Sequence, residues 1–417
     1  MMDFSSEDLG RLLAEFRPGM RVYIQGAGGE PLALGPALAT QPTALADVAL
    51  TSCLLPGINR FDYARLDARC RLTTFMLPPA LRQSFEGGQV AVRPLPYSQI
   101  AAAMETDPGP DLAVFQVTPP DAAGLCSFGT CTDFAPLIWP RANRRLAVIN
   151  PALPRVARGP TIPFAAVEVI VETSAPYITG DEAEASEEQA IIASLIAALI
   201  PDGAALQTGI GGAPAAAVAR LTDHRDLVIR SGMITEGYRT LAHAGALAGE
   251  ADHVTGLALG SEDFMQWAAD SVVFADARTT HGAAGLAATP RLFAINSALE
   301  VDLFGQANIE WRSGRLVSGL GGAPDFARAA RRSAGGRAIL ALPATAGGGR
   351  ISRIVPRLQT PTVSIPRDDT DLVITEFGVA DLRGASLDAR AEALMAIAAP
   401  DHRDGLIRAW RLIRSEL

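Results

Sequence analysis

At 417 residues, 48% of them hydrophobic, the chain can bury a substantial core, and its length sets an expectation of two or three domains. A net charge of -9 argues against nucleic acid as a partner, because a broad phosphate footprint needs a basic face. All 36 basic residues are arginine, so a phosphate-bearing ligand would be held by guanidinium groups, backbone amides or helix ends, although biased codon usage gives the same composition.

The first seven residues lack the basic start and apolar run of a secretory signal. No apolar window approaches the roughly 20 residues of a membrane-spanning helix. Cys53, Cys70, Cys126 and Cys131 are too few for a disulfide framework in a chain this long. The expectation is a soluble, cytoplasmic protein with reduced thiols and no membrane partner.

In chain order, apolar runs predict strands at Arg21 to Gln25, Asp111 to Val117, Arg145 to Ile149, Val167 to Glu172, Leu227 to Arg230, Ser271 to Ala275, Ala338 to Leu342 and Asp371 to Ile374. Helix-like runs alternate with them, which predicts an α/β protein with mostly parallel sheets covered by helices. The clearest helix is Glu187 to Ile200, opened by Ser186 with Gln189 three residues on, a capping-box pattern. The acidic stretch from Gly180 to Glu188 marks the expected boundary between a domain at 1–180 and one at 181–417.

A GxGGxP motif recurs at Gly26 to Pro31, Gly209 to Pro214 and Gly319 to Pro324. Each copy follows a strand-like run and precedes a helix-like one. Glycine lets a ligand approach bare backbone, proline suits a first helical position, and the helix start offers free amides to an anion. One such turn is weak evidence of binding, since βα connections use glycine for steric reasons alone; three copies imply related units with ligands at strand carboxyl ends. No copy reads GxxxxGK[ST] or GxGxxG, which counts against nucleotide hydrolysis and dinucleotide redox chemistry.

LQTGIGGAPAAAV (206–218), FAINSALEVDLFGQAN (293–308), GLGGAPDFARAARRSAGGRAILALPATA (from Gly319) and ITEFGVADLRGASLDARAEALMAIAAPDHRD (374–404) resemble, in order, segments of the acetyl-CoA hydrolase/4-hydroxybutyrate CoA-transferase family. VTPPDAAGLCSFG and AVINPALPR add to the likeness. The resemblance implies two α/β domains of the class I CoA-transferase fold that bind acyl-CoA in the cleft between them. Coenzyme A would be a substrate, no cofactor would be permanently bound, and transfer would need a carboxylate acceptor. The family reaction passes through a glutamyl-CoA thioester, which divides one hard step into easier ones. By position, Gly209, Ile210, Gly211, Gly212 and Ala213 would line the CoA and oxyanion region, joined by Gly319, Gly322 and Arg337. The likeness and the apolar faces also imply a homo-oligomer.

The chain departs from its family at RSGMITEG (230–237). Matched to the family's His-Thr-Glu-Met segment, Gly232 takes the place of the nucleophilic glutamate and Glu236 that of a later aspartate. Four readings compete. Glu236 replaces the nucleophile from one helical turn on; water fills the space at Gly232 and is activated by Glu300 or His281; a carbon–carbon bond of a CoA-linked substrate is hydrolysed; or acyl-CoA is bound without turnover. Glu376 is a further candidate for a direct role, and Asp121 and Asn150 for shaping the acyl pocket. Each candidate also has a structural reading: Glu236 as a helix-start carboxylate, Glu300 and Glu376 as strand-end hydrogen-bond partners, and Asp121 and Asn150 as turn caps. His281, in TTHGAAG, lies in a glycine-rich loop from which a general base could reach a ligand. No histidine and carboxylate spacing matches a zinc site, so no metal is inferred.

Overall fold

The computed structural model describes residues 4–180 and 184–417, so the boundary expected at 180/181 abuts residues outside the described ones. The described residues fall into two compact units. The first holds the residues through 180 with His253–Thr280 and Val317–Gly321; the second holds those from 184 to Asp252 with His281–Leu316 and Gly322–Leu417. The C-terminal half therefore returns two segments to the first unit, which a division into two continuous blocks does not contain.

The first unit is built on a seven-stranded sheet with strands β1 (Arg21–Ile24), β2 (Ala49–Thr51), β3 (Arg71–Thr74), β4 (Val90–Val92), β5 (Leu112–Val117), β6 (Arg145–Ile149) and β7 (Val169–Glu172). Their order is β4-β3-β2-β1-β5-β6-β7, and each neighbouring pair is parallel. All six residues of β5 are buried, as a central strand covered on both faces requires. The predicted strands at β1, β5, β6 and β7 form within a residue or two. The strands β2 to β4, of three or four residues, are too short to show a period. Ser271 ends the helix Glu262–Ser271, and only Val273–Phe274 of the next predicted strand pairs as a strand.

The second unit is built on a six-stranded sheet with strands β8 (Ala205–Thr208), β9 (Val228–Ile229), β10 (Leu292–Ser297), β11 (Arg337–Ala341), β12 (Leu372–Thr375) and β13 (Gly378–Asp381), in the order β9-β8-β10-β11-β12-β13. All pairs are parallel except the last. Helix α1 (Glu187–Ala197) opens with the predicted capping box, in which Ser186 Oγ accepts from the Gln189 amide at 3.3 Å and Gln189 Oε1 accepts from the Ser186 amide at 2.9 Å.

In both sheets the chain builds outward on one side of its first strand and then returns to the other side. The order reverses between β1 and β5 in the first unit and between β8 and β10 in the second. Beyond the carboxyl ends of strands at such a reversal, successive loops diverge and leave a crevice.

At the amino end of β11 and β12 a buried carboxylate pins the second sheet. Asp371 has a fully buried side chain, takes Arg331 Nη1 at 2.8 Å, Arg383 Nε at 2.8 Å and Arg383 Nη2 at 2.5 Å, and also accepts from the Ala338 amide at 3.0 Å. Burial pushes its carboxyl up, but the Arg383 hydrogen bonds, the Ala338 amide and the charges of both arginines outweigh burial and hold it below the ordinary aspartate value. A lowered folded value gives stability that is present above the unfolded value and lost as pH falls through the folded one. Asp371→Asn is therefore expected to cost about 3 kcal/mol at neutral pH and to flatten the acid limb of the stability curve, as read by denaturant unfolding at a series of pH values.

Candidate active site

Two adjacent parallel strands set the site of the second unit. The segment leaving β8 begins at Gly209 and the one leaving β9 runs through Ser231 and Gly232. They are tied together by Ser231, whose hydroxyl accepts from the Thr208 amide at 3.3 Å and donates to the Met233 carbonyl at 2.6 Å. Thr208 Oγ1 also lies 3.1 Å from the buried Tyr238 hydroxyl on helix α3 (Gly237–His243).

The glycine turn after β8 is packed from below by the end of β10. A Cβ on Gly209 would lie 2.4 Å from Asn296 Oδ1, and one on Gly211 would lie 2.2 Å from Ser297 Oγ. Gly211 has φ +146°, a region that side chains rarely enter. A Cβ on Gly212 would meet Gln189 Nε2 of α1 at 2.6 Å, so a side chain at any of these three places would displace a neighbour. Helix α2 (Gly212–Ala219) begins within it, its early amides directed out of the strand end, and Ile210 is 56% exposed. Pro214 sits third in that helix, not first.

The other two GxGGxP copies differ from this one. The first forms a buried 3-10 turn at Ala27–Gly29, with Pro31 ahead of the helix Leu34–Ala39. The Gly29 amide donates to the Gly26 carbonyl at 3.0 Å, and the Ala27 amide to the Cys53 carbonyl at 2.9 Å, so this turn is closed on its own surroundings. The third follows a two-stranded hairpin, Trp311–Arg312 with Arg315–Leu316, instead of a sheet strand. Its Gly319 belongs to the first unit, packed on the Phe75 carbonyl, whereas Gly322 caps helix α4 (Ala323–Arg332) of the second.

His281 lies against Gly232. A Cβ built on Gly232 would fall 2.6 Å from His281 Cε1 and 2.7 Å from Nε2, and one on Gly322 would fall 2.4 Å from the same Nε2. The imidazole is thus held between two bare stretches of backbone, with only 3% of the residue exposed. The Phe326 ring on α4 meets it edge-on at 4.9 Å between centroids. The space beside Gly232 that water was expected to fill holds this ring.

The remaining sequence candidates have other attachments. Glu236 precedes α3 and pairs with Arg239 at 3.0 Å, three residues on. Glu300 opens a strand of a separate small sheet, where its Oε2 accepts from Asn308 Nδ2 at 3.2 Å. Glu376 Oε2 accepts from the Ala344 amide at 2.8 Å. Asp121 accepts from the Ala123 and Leu125 amides, and Asn150 accepts from the Ala152 amide while donating to Gln116 and Ala175, so both act as turn caps.

Arg337 pairs with Phe293 at the amino end of β11, while Ala341 pairs with Ser297 at the carboxyl end. Four residues of strand, about 13 Å, separate it from the level of the glycine turn. It does not join Gly209 to Ala213 at one end of the sheet. Sequence reasoning did not single out Asn296, Ser297, Thr208, Ser231 or Phe326. The first two lie inside the FAINSALEVD segment, but nothing in a linear pattern shows that they floor the turn after β8.

Among the described residues no group of three or more histidine, cysteine or acidic side chains is arranged to hold a metal, and no helix is long and apolar enough to cross a membrane. All four cysteines are buried and unpaired.

Residues 9–179 match the acetyl-CoA hydrolase/transferase N-terminal domain, and residues 260–410 match the C-terminal domain of the same family. The 4-hydroxybutyrate coenzyme A transferase of Clostridium kluyveri is 30% identical over 401 residues, covering 94% of each chain. RipA from Yersinia pestis superimposes with a TM-score of 0.90 at 28% identity, covering 97% of each chain. A 4-hydroxybutyrate CoA-transferase from Porphyromonas gingivalis does so with a TM-score of 0.80 at 29% identity, covering 98% of this chain and 97% of its own. The glycine turns, the two parallel sheets and these matches along nearly the whole length place the chain in the acetyl-CoA hydrolase/transferase family.

Proposed function

We propose that the chain hydrolyses an acyl-CoA thioester, with the His281 imidazole working from the position where relatives that transfer CoA carry a glutamate side chain. One observation carries this reading: His281 Nε2 and Cε1 occupy the volume that any side chain at 232 would enter. An imidazole is a better proton acceptor for water than a glycine-lined gap, and a general base of this kind contributes ~10² to 10⁴ in rate.

In this scheme the water oxygen attacks the thioester carbonyl carbon while His281 takes its proton. The carbonyl oxygen becomes an oxyanion, stabilised by amides of the Gly209–Ala213 turn, each worth about 3 kcal/mol of barrier. The C–S bond then breaks, the imidazolium returns the proton to the coenzyme A sulfur, and a carboxylic acid leaves. No carboxylate acceptor enters, and no protein-bound thioester forms. Glu236, engaged with Arg239, serves as a helix-start charge.

The test is free-thiol release from a panel of acyl-CoA thioesters, with and without acetate. His281→Asn is expected to lower kcat by ~10² or more with KM little changed; release within twofold of the natural chain would sink the proposal. Acetate-dependent exchange with a trapped protein-bound CoA thioester would instead assign the chemistry to a carboxylate, with Glu236 the first to substitute.

The overlap yields a second prediction. Gly232→Glu alone is expected to lose activity and thermal stability together, because even its Cβ collides with the ring. Combined with His281→Gly, which clears the space, the same glutamate is expected to recover folding and gain CoA exchange with acetate, detected as a glutamyl-CoA adduct by mass spectrometry.

A further inference from the structure

The first unit holds a buried carboxylate that thioester hydrolysis does not use. Asp133 is 5% exposed, and neither of its carboxylate oxygens has a hydrogen-bond partner among the described residues. Its backbone is left-handed, φ +31°, a strained setting for a residue with a side chain. Neighbours on both sides fix it there. The Thr132 hydroxyl reaches the Gly256 and Ala275 carbonyls at 3.1 and 2.7 Å, and the Asp133 carbonyl accepts from the Ala277 amide at 2.7 Å.

Asp133 lines a small cavity with Tyr23, Gln25, Gly26, Cys53 and Cys131, with room for about one water. The cavity adjoins the first GxGGxP turn, beyond the carboxyl end of β1. That is the reversal point of the first sheet, where open α/β sheets place their ligands.

The chemistry of the lining narrows the occupant. Gln25 donates to the Cys131 carbonyl at 3.1 Å and accepts from the Gln116 amide at 2.9 Å; Cys53 Sγ lies 3.7 Å from the Tyr97 hydroxyl, and Cys131 Sγ lies 4.0 Å from the Gly26 carbonyl. None of the lining residues is basic. The titratable groups that feel Asp133 are Cys53, Cys131, Tyr23 and Tyr97; burial raises all four, so they stay neutral and supply no positive charge. An anion would meet an uncompensated carboxylate, and an apolar group would leave that carboxylate unsatisfied.

We propose that this cavity binds a compact hydrogen-bond donor, either an ammonium-type cation or the hydroxyl or amino end of an organic ligand, with Asp133 as its acceptor. A single donor group of that size satisfies a buried carboxylate that the fold itself leaves without a partner.

The first arm of the test is thermal unfolding of the full chain at pH 8 in ammonium chloride against sodium chloride at equal ionic strength. The natural chain, Asp133→Asn and Asp133→Leu are compared. Ammonium is expected to raise the midpoint by about 2–4 °C in the natural chain alone. The second arm repeats the unfolding comparison with ethanolamine hydrochloride at the same ionic strength. An Asp133-dependent rise with ammonium assigns the site to a free cation, and a larger Asp133-dependent rise with ethanolamine assigns it to the end of an organic ligand. Absence of both, or an equal rise in Asp133→Asn, overturns the proposal, and does so whether or not the chain hydrolyses thioesters.

A pH series in sodium chloride checks the state of the carboxylate. Burial raises Asp133 from the ordinary 3.8 to about 7. A raised folded value means that stability present below the unfolded value is lost as pH climbs through the folded one. Asp133→Asn is therefore expected to unfold at a higher temperature than the natural chain at pH 8, and the gap should close as the pH is lowered from 7 toward 4.

Discussion

The strand order of each sheet constrains everything described at its carboxyl end. A chain that adds strands on one side of its first strand and then crosses to the other must send consecutive loops apart, and backbone is left facing the gap. Only glycine lets that backbone be approached closely. In the second unit the gap is floored by Asn296 and Ser297, and a Cβ at 209, 211 or 212 would displace Asn296, Ser297 or Gln189. In the first unit the equivalent turn is closed from within, since the Gly29 amide donates to the Gly26 carbonyl and the Ala27 amide to the Cys53 carbonyl. The same sequence motif therefore ends in opposite electrostatic settings. One turn leads into a helix whose free amides favour a developing negative charge. The other adjoins a buried carboxylate and favours a donor.

The two settings are maintained by different kinds of interaction. Around His281 the control is steric: two glycines on separate segments leave room for a planar ring, and Phe326 limits its tilt. Around Asp133 it is electrostatic, because burial without a partner decides what the residue can tolerate beside it. The Asp371 cluster is the contrast that shows how this chain treats a carboxylate it means to keep charged. There two arginines and a backbone amide converge on one buried group. Nothing of that kind surrounds Asp133.

Much of this was legible in the residues. The long apolar strands β5 and β6 announced themselves because both faces are buried, and the Ser186/Gln189 box fixed the start of α1 to the residue. The family segments point to Gly209 and Gly232 from sequence alone. The rest depended on contacts distant in sequence. His281 stands 49 positions beyond Gly232 and 41 before Gly322, and no periodicity links the three. Family likeness puts Arg337 where relatives often carry a lysine against CoA phosphates, but the parallel register sets it at the opposite end of its strand from the glycine turn. The third GxGGxP copy matched the second in letters, yet a hairpin precedes it, and its residues divide between the two units. Asp133 lay in a stretch with no motif beyond the family likeness of its neighbours; its orphaned oxygens appear only when burial and hydrogen bonds are counted together.

The overlap of His281 with positions 232 and 322 has a consequence for how such a sequence can change. A side chain at either glycine and a ring at 281 exclude one another, so substitutions at the three positions are not independent. A lineage moving from a side chain at 232 to an imidazole at 281 must first lose the side chain, and the reverse passage must first lose the ring; taken in the other order, each route crosses a variant whose core does not fit. The three positions should therefore vary together among relatives, with small residues at 232 and 322 wherever histidine stands at 281, and reconstructed ancestors along that path should show the glycine before the ring.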